Sequence, residues 1–317
     1  MLNKKSLMML SAFAILIFHL WVNLSYPMSR AEGFLTKTTY WGVDIFFFLS
    51  AYSIGGRKVE KYGSFILGRI KQVYVKYIIF AIIACIYAKW PLIRLFKVIF
   101  AVEFLEKGGG SFLWFLPGIM LVYIFLPIYQ KLDIKNRKLT LLSAVAVWLL
   151  VAFLFTYCTK YHTLFIFWNR VPIILTGFYL GQSEKFKSLL NRKIARVLTG
   201  VGLLIIGYVL LYYFGYRPQL QTPIKDMFYL MAIPADLGII LLVGMIPEFK
   251  AIRWIGNATL EMYALQMIFG YRIMNILIKA DINAMLINIC TMIIIILPAI
   301  VFSFFYRKCL RVIGFEK

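Results

Sequence analysis

Of the two histidines in the 317-residue chain, His19 falls inside an apolar run, Ala14-Ile-Leu-Ile-Phe-His19-Leu-Trp21. A neutral imidazole at such a place can accept a proton from an alcohol, or can serve packing alone, hydrogen-bonded between helices. A carboxylate opens the next apolar run, in Trp41-Gly-Val-Asp44-Ile-Phe-Phe-Phe-Leu-Ser50-Ala-Tyr52. If these two runs are antiparallel neighbours, Asp44 approaches the depth of His19 and can orient or stabilise the ring, as supporting carboxylates do in hydrolytic triads. An aspartate at a helix N-terminus is also favoured by the helix dipole alone. Arg170, in Trp168-Asn169-Arg170-Val-Pro172, is placed either to snorkel to the surface or to pair with a carboxylate. Between the second and third runs, Arg57, Lys58, Lys61, Arg69 and Lys71 concentrate five positive charges that can attract a phosphate-bearing ligand or anionic lipid.

The elements that must position these residues follow from composition. Apolar side chains make up 62% of the chain and the mean hydropathy is +0.83, a load that excludes a water-soluble enzyme and points to a polytopic helical bundle. Ten apolar runs of spanning length are legible, at 6–26, 41–57, 72–89, 112–129, 139–158, 164–182, 195–214, 227–246, 258–278 and 284–306. A charged side chain at a helix centre costs about 2.5–3.5 kcal/mol on insertion, so those inside the runs call for a partner, water or a function. The formal charge is +22. With the N-terminus inside, lysine and arginine favour the inner segments by roughly two to one, which makes both termini cytoplasmic and the protein a multi-pass component of the plasma or inner membrane.

The first run is too long for a cleaved signal peptide and reads as a retained span. The segment 92–107 is apolar but short and charged, which suits the outer interface or a re-entrant piece. Cys85, Cys158, Cys290 and Cys309 have neither zinc nor disulfide-scaffold spacing, and no metal is expected. No loop is long enough for a soluble domain, so residues 1–317 read as one integral-membrane domain without a nucleic-acid partner.

Taken together these segments resemble the integral-membrane acyltransferase 3 family over nearly the whole chain. The resemblance is carried by the first-run histidine, by Gly42-Val-Asp44-Ile-Phe-Phe-Phe-Leu-Ser50-Ala-Tyr52, and by Phe65 with Arg69. It continues through Phe112-Leu-Trp114-Phe-Leu116 with Tyr123 and Pro127, Arg170 with Gly177 and Gly181, and Thr259-Leu-Glu-Met-Tyr263. It implies an O-acyltransferase moving an acetyl group from cytoplasmic acetyl-CoA to a hydroxyl of a cell-surface or lipid-linked glycan. His19 would be general base or transient acyl carrier and Asp44 its assistant. Arg69 and Lys71 would hold the acyl-CoA phosphates, and Arg170, Trp114 and Tyr263 would shape the acceptor side.

The sequence departs from the family pattern at four places. Met8 stands where an arginine is usual, the R-x-x-R pair reads Arg69-Ile-Lys-Gln72, the following proline is Val75, and the late Tyr-Leu-x-His reads Tyr263-Ala-Leu-Gln266. Two other classes fit the same residues: a glycan or lipid permease lined by His19, Asp44, Arg170 and Arg272, or an inactive relative serving as sensor or scaffold.

Overall fold

A backbone surrounded by lipid must satisfy its own hydrogen bonds, and the helix does so within one segment. In the computed structural model, which describes residues 2–22, 39–157, 163–215, 228–280 and 283–312, every one of the ten apolar runs is occupied by helix and the described residues contain no strand. Residues 23–26 of the first run, Met227 and Cys158 lie outside the described residues.

In chain order the helices are α1 Lys4–Val22, α2 Trp41–Gly55, α3 Tyr62–Ala88, α4 Leu92–Ile99, α5 Val102–Lys107, α6 Phe115–Lys135, α7 Arg137–Tyr157 and α8 Phe165–Trp168. They continue with α9 Val171–Gln182, α10 Glu184–Asn191, α11 Lys193–Leu210, α12 Phe228–Val243, α13 Lys250–Asn257, α14 Thr259–Leu265, α15 Tyr271–Lys279 and α16 Ala284–Val312. Five of the described helices are long and apolar enough to cross a membrane: Tyr62–Ala88, Phe115–Lys135, Arg137–Phe155, Lys193–Tyr213 and Met285–Val312. Trp41–Gly55 and Leu230–Val243 are shorter apolar helices.

One stretch, residues 62–71, differs from the sequence expectation. Residues 62–71, read as part of a basic loop, are the first turns of α3 and run through a π-helical turn at Ile70–Tyr74 into the apolar part. Phe65 and Ile66 there give the segment an apolar side, and the charge count alone hid its helical character. The segment 92–107 is a pair of helices, α4 and α5, broken where Ala101 adopts φ of 59°. At 1.5 Å per residue they are roughly 12 and 9 Å long, far short of a bilayer. The buried Glu103 of α5 ties the pair together through Arg94 of α4 at 3.3 Å, and it also pairs with Lys107 of its own helix at 2.9 Å.

The chain forms two compact units, Phe46–Leu242 and Leu2–Ile45 with Val243–Lys317, the division falling within α2. In the first, α2 and α9 touch backbone to backbone. A Cβ on Gly177 would meet Phe48 O at 2.6 Å, one on Gly181 would meet Tyr52 O at 2.4 Å, and one on Gly55 would meet Phe178 O at 2.0 Å. The small-xxx-small spacing of α9 thus has its physical use in a close helix crossing. Gln130 of α6 closes the end of α2, donating to Ile54 O at 2.9 Å and Arg57 O at 2.8 Å while accepting from Val59 N at 3.0 Å.

In the second unit the two ends of the chain pack together. Gly256 of α13 lies where a Cβ would meet Lys5 O at 2.6 Å, Ser6 Oγ donates to Ile246 O at 2.8 Å, and Ser303 Oγ of α16 donates to Asn257 O at 3.1 Å. Gly42, at the start of α2, rests on Ser11 O, 2.5 Å from the place of its absent Cβ.

Candidate functional site

The residues singled out by sequence fall into three local groups. In the second unit His19 is half-buried near the end of α1, and its Nδ1 lies 2.9 Å from Ile15 O. A carbonyl only accepts, so Nδ1 carries the proton and the lone pair falls to Nε2. The ring is therefore oriented by its own helix, with Nε2 in the form that takes a proton.

Tyr263 of α14 stands 6.0 Å from the imidazole, centroid to centroid, and Phe18 stacks edge-on at 5.3 Å. Tyr263, expected to shape the acceptor side, is thus a neighbour of His19. One turn further along, Gln266 donates from Nε2 to Leu16 O at 2.8 Å. His19 and Gln266 thus hang on consecutive carbonyls of α1. Asp44 is 2% exposed in the first turn of α2. Gly42 takes the contact with α1, and Asp44, two positions on, lies about 200° round the helix from it.

The second group, in the first unit, surrounds Arg69. Its guanidinium lies 5.1 Å from the centre of the Phe65 ring and 4.8 Å from that of Tyr123, and Nη1 donates to Gln72 Oε1 at 3.3 Å. Tyr123 in turn shares a hydrogen bond of 3.2 Å with Ser50 of α2. Arg57 approaches the other flank of Phe65, 5.9 Å from its centroid. Lys71 is half-buried on the π-helical turn. Such turns insert a residue into the helical repeat, shifting the register of the side chains beyond them, and are frequent at functional sites.

Arg57 also lines a cavity of about 410 Å³ with Lys58, Arg137, Gln130 and Asp133. There Tyr179 donates to Asp133 Oδ1 at 2.8 Å and lies 2.6 Å from Tyr129 Oη, with the Arg137 guanidinium 4.8 Å above the Tyr179 ring. Gln182 Nε2 reaches Asp133 Oδ2 at 3.3 Å. Sequence reasoning missed this network, because a glutamine, an aspartate and two tyrosines distributed over two helices have no spacing to announce them. Only the charge of Arg137 was legible.

The third group is Arg170 and Trp114, also in the first unit. Arg170 is 2% exposed, so it does not snorkel to the surface; its Nη1 donates to Ile166 O and its Cζ lies 5.2 Å from the Trp114 ring centre. Arginine stacked on a buried indole presents its remaining donors in a fixed plane. Among the described residues no three His, Cys, Asp or Glu side chains are placed to hold a metal ion.

No curated protein and no solved structure matches the chain. The family model described as an acyltransferase domain matches residues 9–308, from the second turn of α1 to the last turns of α16, and so takes in all three groups. The chain belongs to the acyltransferase 3 family, whose members are membrane acyltransferases.

Proposed function

We propose that the protein is an O-acyltransferase that carries an acetyl group from cytoplasmic acetyl-CoA to a hydroxyl of a cell-surface or lipid-linked glycan, with His19 as the general base. The observation that carries the reading is the Nδ1 hydrogen bond to Ile15 O, which leaves Nε2 as the proton acceptor in a family of acyltransferases. Nε2 takes the proton of the acceptor hydroxyl as its oxygen attacks the thioester carbonyl. The C–O bond forms, the C–S bond breaks, and the imidazolium returns the proton to the departing thiolate. Because Nδ1 is already held by backbone, Asp44 assists through its charge and not through the Nδ1 hydrogen bond of a hydrolytic triad.

For the donor, support comes from the clustering of cations. Arg57 and Arg69 share one aromatic ring, and Arg57, Lys58 and Arg137 border a cavity of a size suited to a small ligand. In this reading they bind the CoA phosphates, with Lys71 adding charge nearby. Arg170, Trp114 and Tyr263 shape the acceptor side, and Tyr263 also packs against the imidazole. Some ten spans with both termini cytoplasmic bring the donor's phosphates to the basic end.

The test is a gene deletion followed by NMR of the cell-surface glycans. Loss of acetyl ester signals with the glycan retained, restored by the wild-type gene, is expected. Loss of the whole glycan would indicate a permease, and unchanged esters would refute the reading.

A further inference from the structure

Gln266 is 4% exposed, and while its Nε2 is held on Leu16 O its Oε1 has no hydrogen-bond partner among the described residues. The bond to a carbonyl fixes which end of the amide is nitrogen, so the orphaned atom is the oxygen. A buried acceptor left unpaired is costly. The side chain is held in a distinctive setting: Gln266 begins a π-helical turn, Gln266–Gly270, and Gly270 lacks the Cβ that would press to 3.3 Å on Gln266 Cγ. The oxygen sits in the neighbourhood of His19, since both side chains bond consecutive carbonyls of α1 and Tyr263, one turn before Gln266, packs against the imidazole.

We propose that Gln266 is a specificity-determining residue whose Oε1 accepts a hydrogen bond from a second hydroxyl of the acyl acceptor, adjacent to the one being acylated. The inference rests on the acyltransferase reading above. The proton of the reacting hydroxyl goes to His19 Nε2, so that group has none to share. An acceptor oxygen beside it therefore selects a substrate with a neighbouring O–H, as a sugar or other vicinal polyol has. The consequence is regioselectivity: the polyol is held in one register and one hydroxyl is presented to the base.

The experiment compares wild type, Gln266→Met and Gln266→His by NMR of surface-glycan acetyl esters, together with binding of acetyl-CoA to the purified proteins. Methionine keeps the length of the side chain and removes both polar atoms, whereas histidine keeps one donor for Leu16 O and one acceptor. The expected result for Gln266→Met is about ten-fold fewer esters, spread over more than one ring position, with acetyl-CoA affinity unchanged and the single-position pattern regained in Gln266→His. Should Gln266→Met fail to fold, Gly270→Ala, which displaces the amide without changing its chemistry, is expected to spread the esters in the same way. Weaker acetyl-CoA binding with ester positions intact would overturn the proposal by assigning the oxygen to an N–H of the donor. Wild-type ester amount and position in both Gln266→Met and Gly270→Ala would overturn it as well. Absence of esters from wild-type cells would instead remove the acyltransferase reading on which it stands.

Discussion

Arg69 illustrates how a side chain's surroundings decide what a charge can do. Spread over Phe65 and Tyr123, its guanidinium is held by two ring faces and by Gln72, and its fork remains oriented for an anionic oxygen. Arg69→Gln is expected to raise the KM for acetyl-CoA about ten-fold or more with little change in the acceptor KM; steady-state kinetics with each substrate varied in turn checks this. An unchanged donor KM would detach Arg69 from the phosphates. At this scale the sequence is readable wherever a titratable side chain interrupts an apolar run, as at His19, Asp44 and Arg170. It was silent about Gln130 and Asp133, whose partners lie 46 to 76 positions away and leave no local trace. Gln266 was visible only as a departure from a pattern, and its contact with Leu16 O, 250 positions distant, gives that departure a physical setting.

The helices themselves were the most legible level, because runs of apolar residues without period-2 alternation leave few alternatives to a helix in lipid. Their ends were less so. Residues 62–71 carry the charge expected of a loop, yet their amphipathic pattern lets α3 begin at Tyr62, with Arg69 and Lys71 on the helix. How tightly two helices approach was foreshadowed by Gly177 and Gly181, but their partner, α2, was not. With Tyr52 O at 2.4 Å from the Gly181 Cβ position, no side chain fits without parting the helices. Gly181→Leu is expected to destabilise the first unit by about 1–3 kcal/mol or more through overpacking. The measurement is thermal unfolding in detergent, where Gly202→Leu, at a helical site with nothing within 4 Å, serves as the control that leaves the midpoint nearly unchanged.

At the scale of the whole molecule, the lysine and arginine bias of the sequence predicts that both termini face the cytoplasm. Cys309 offers a direct reading, since it is an exposed free thiol in α16 within Arg307-Lys308-Cys309. In a variant retaining only that cysteine, a membrane-impermeant maleimide is expected to label permeabilised cells and spare intact ones. Labelling of intact cells would put the C-terminus outside and invert the donor's entry side.

Catalysis is likewise a property of the assembled chain, and its dependence on the imidazole is measured most directly by release of CoA thiol from acetyl-CoA, with the surface glycan as acceptor, by purified wild-type protein and His19→Ala. With folding shown equal by unfolding midpoint, the account predicts a fall in turnover of about 10²- to 10⁴-fold in the variant. Thiol release by His19→Ala at the wild-type rate would contradict it.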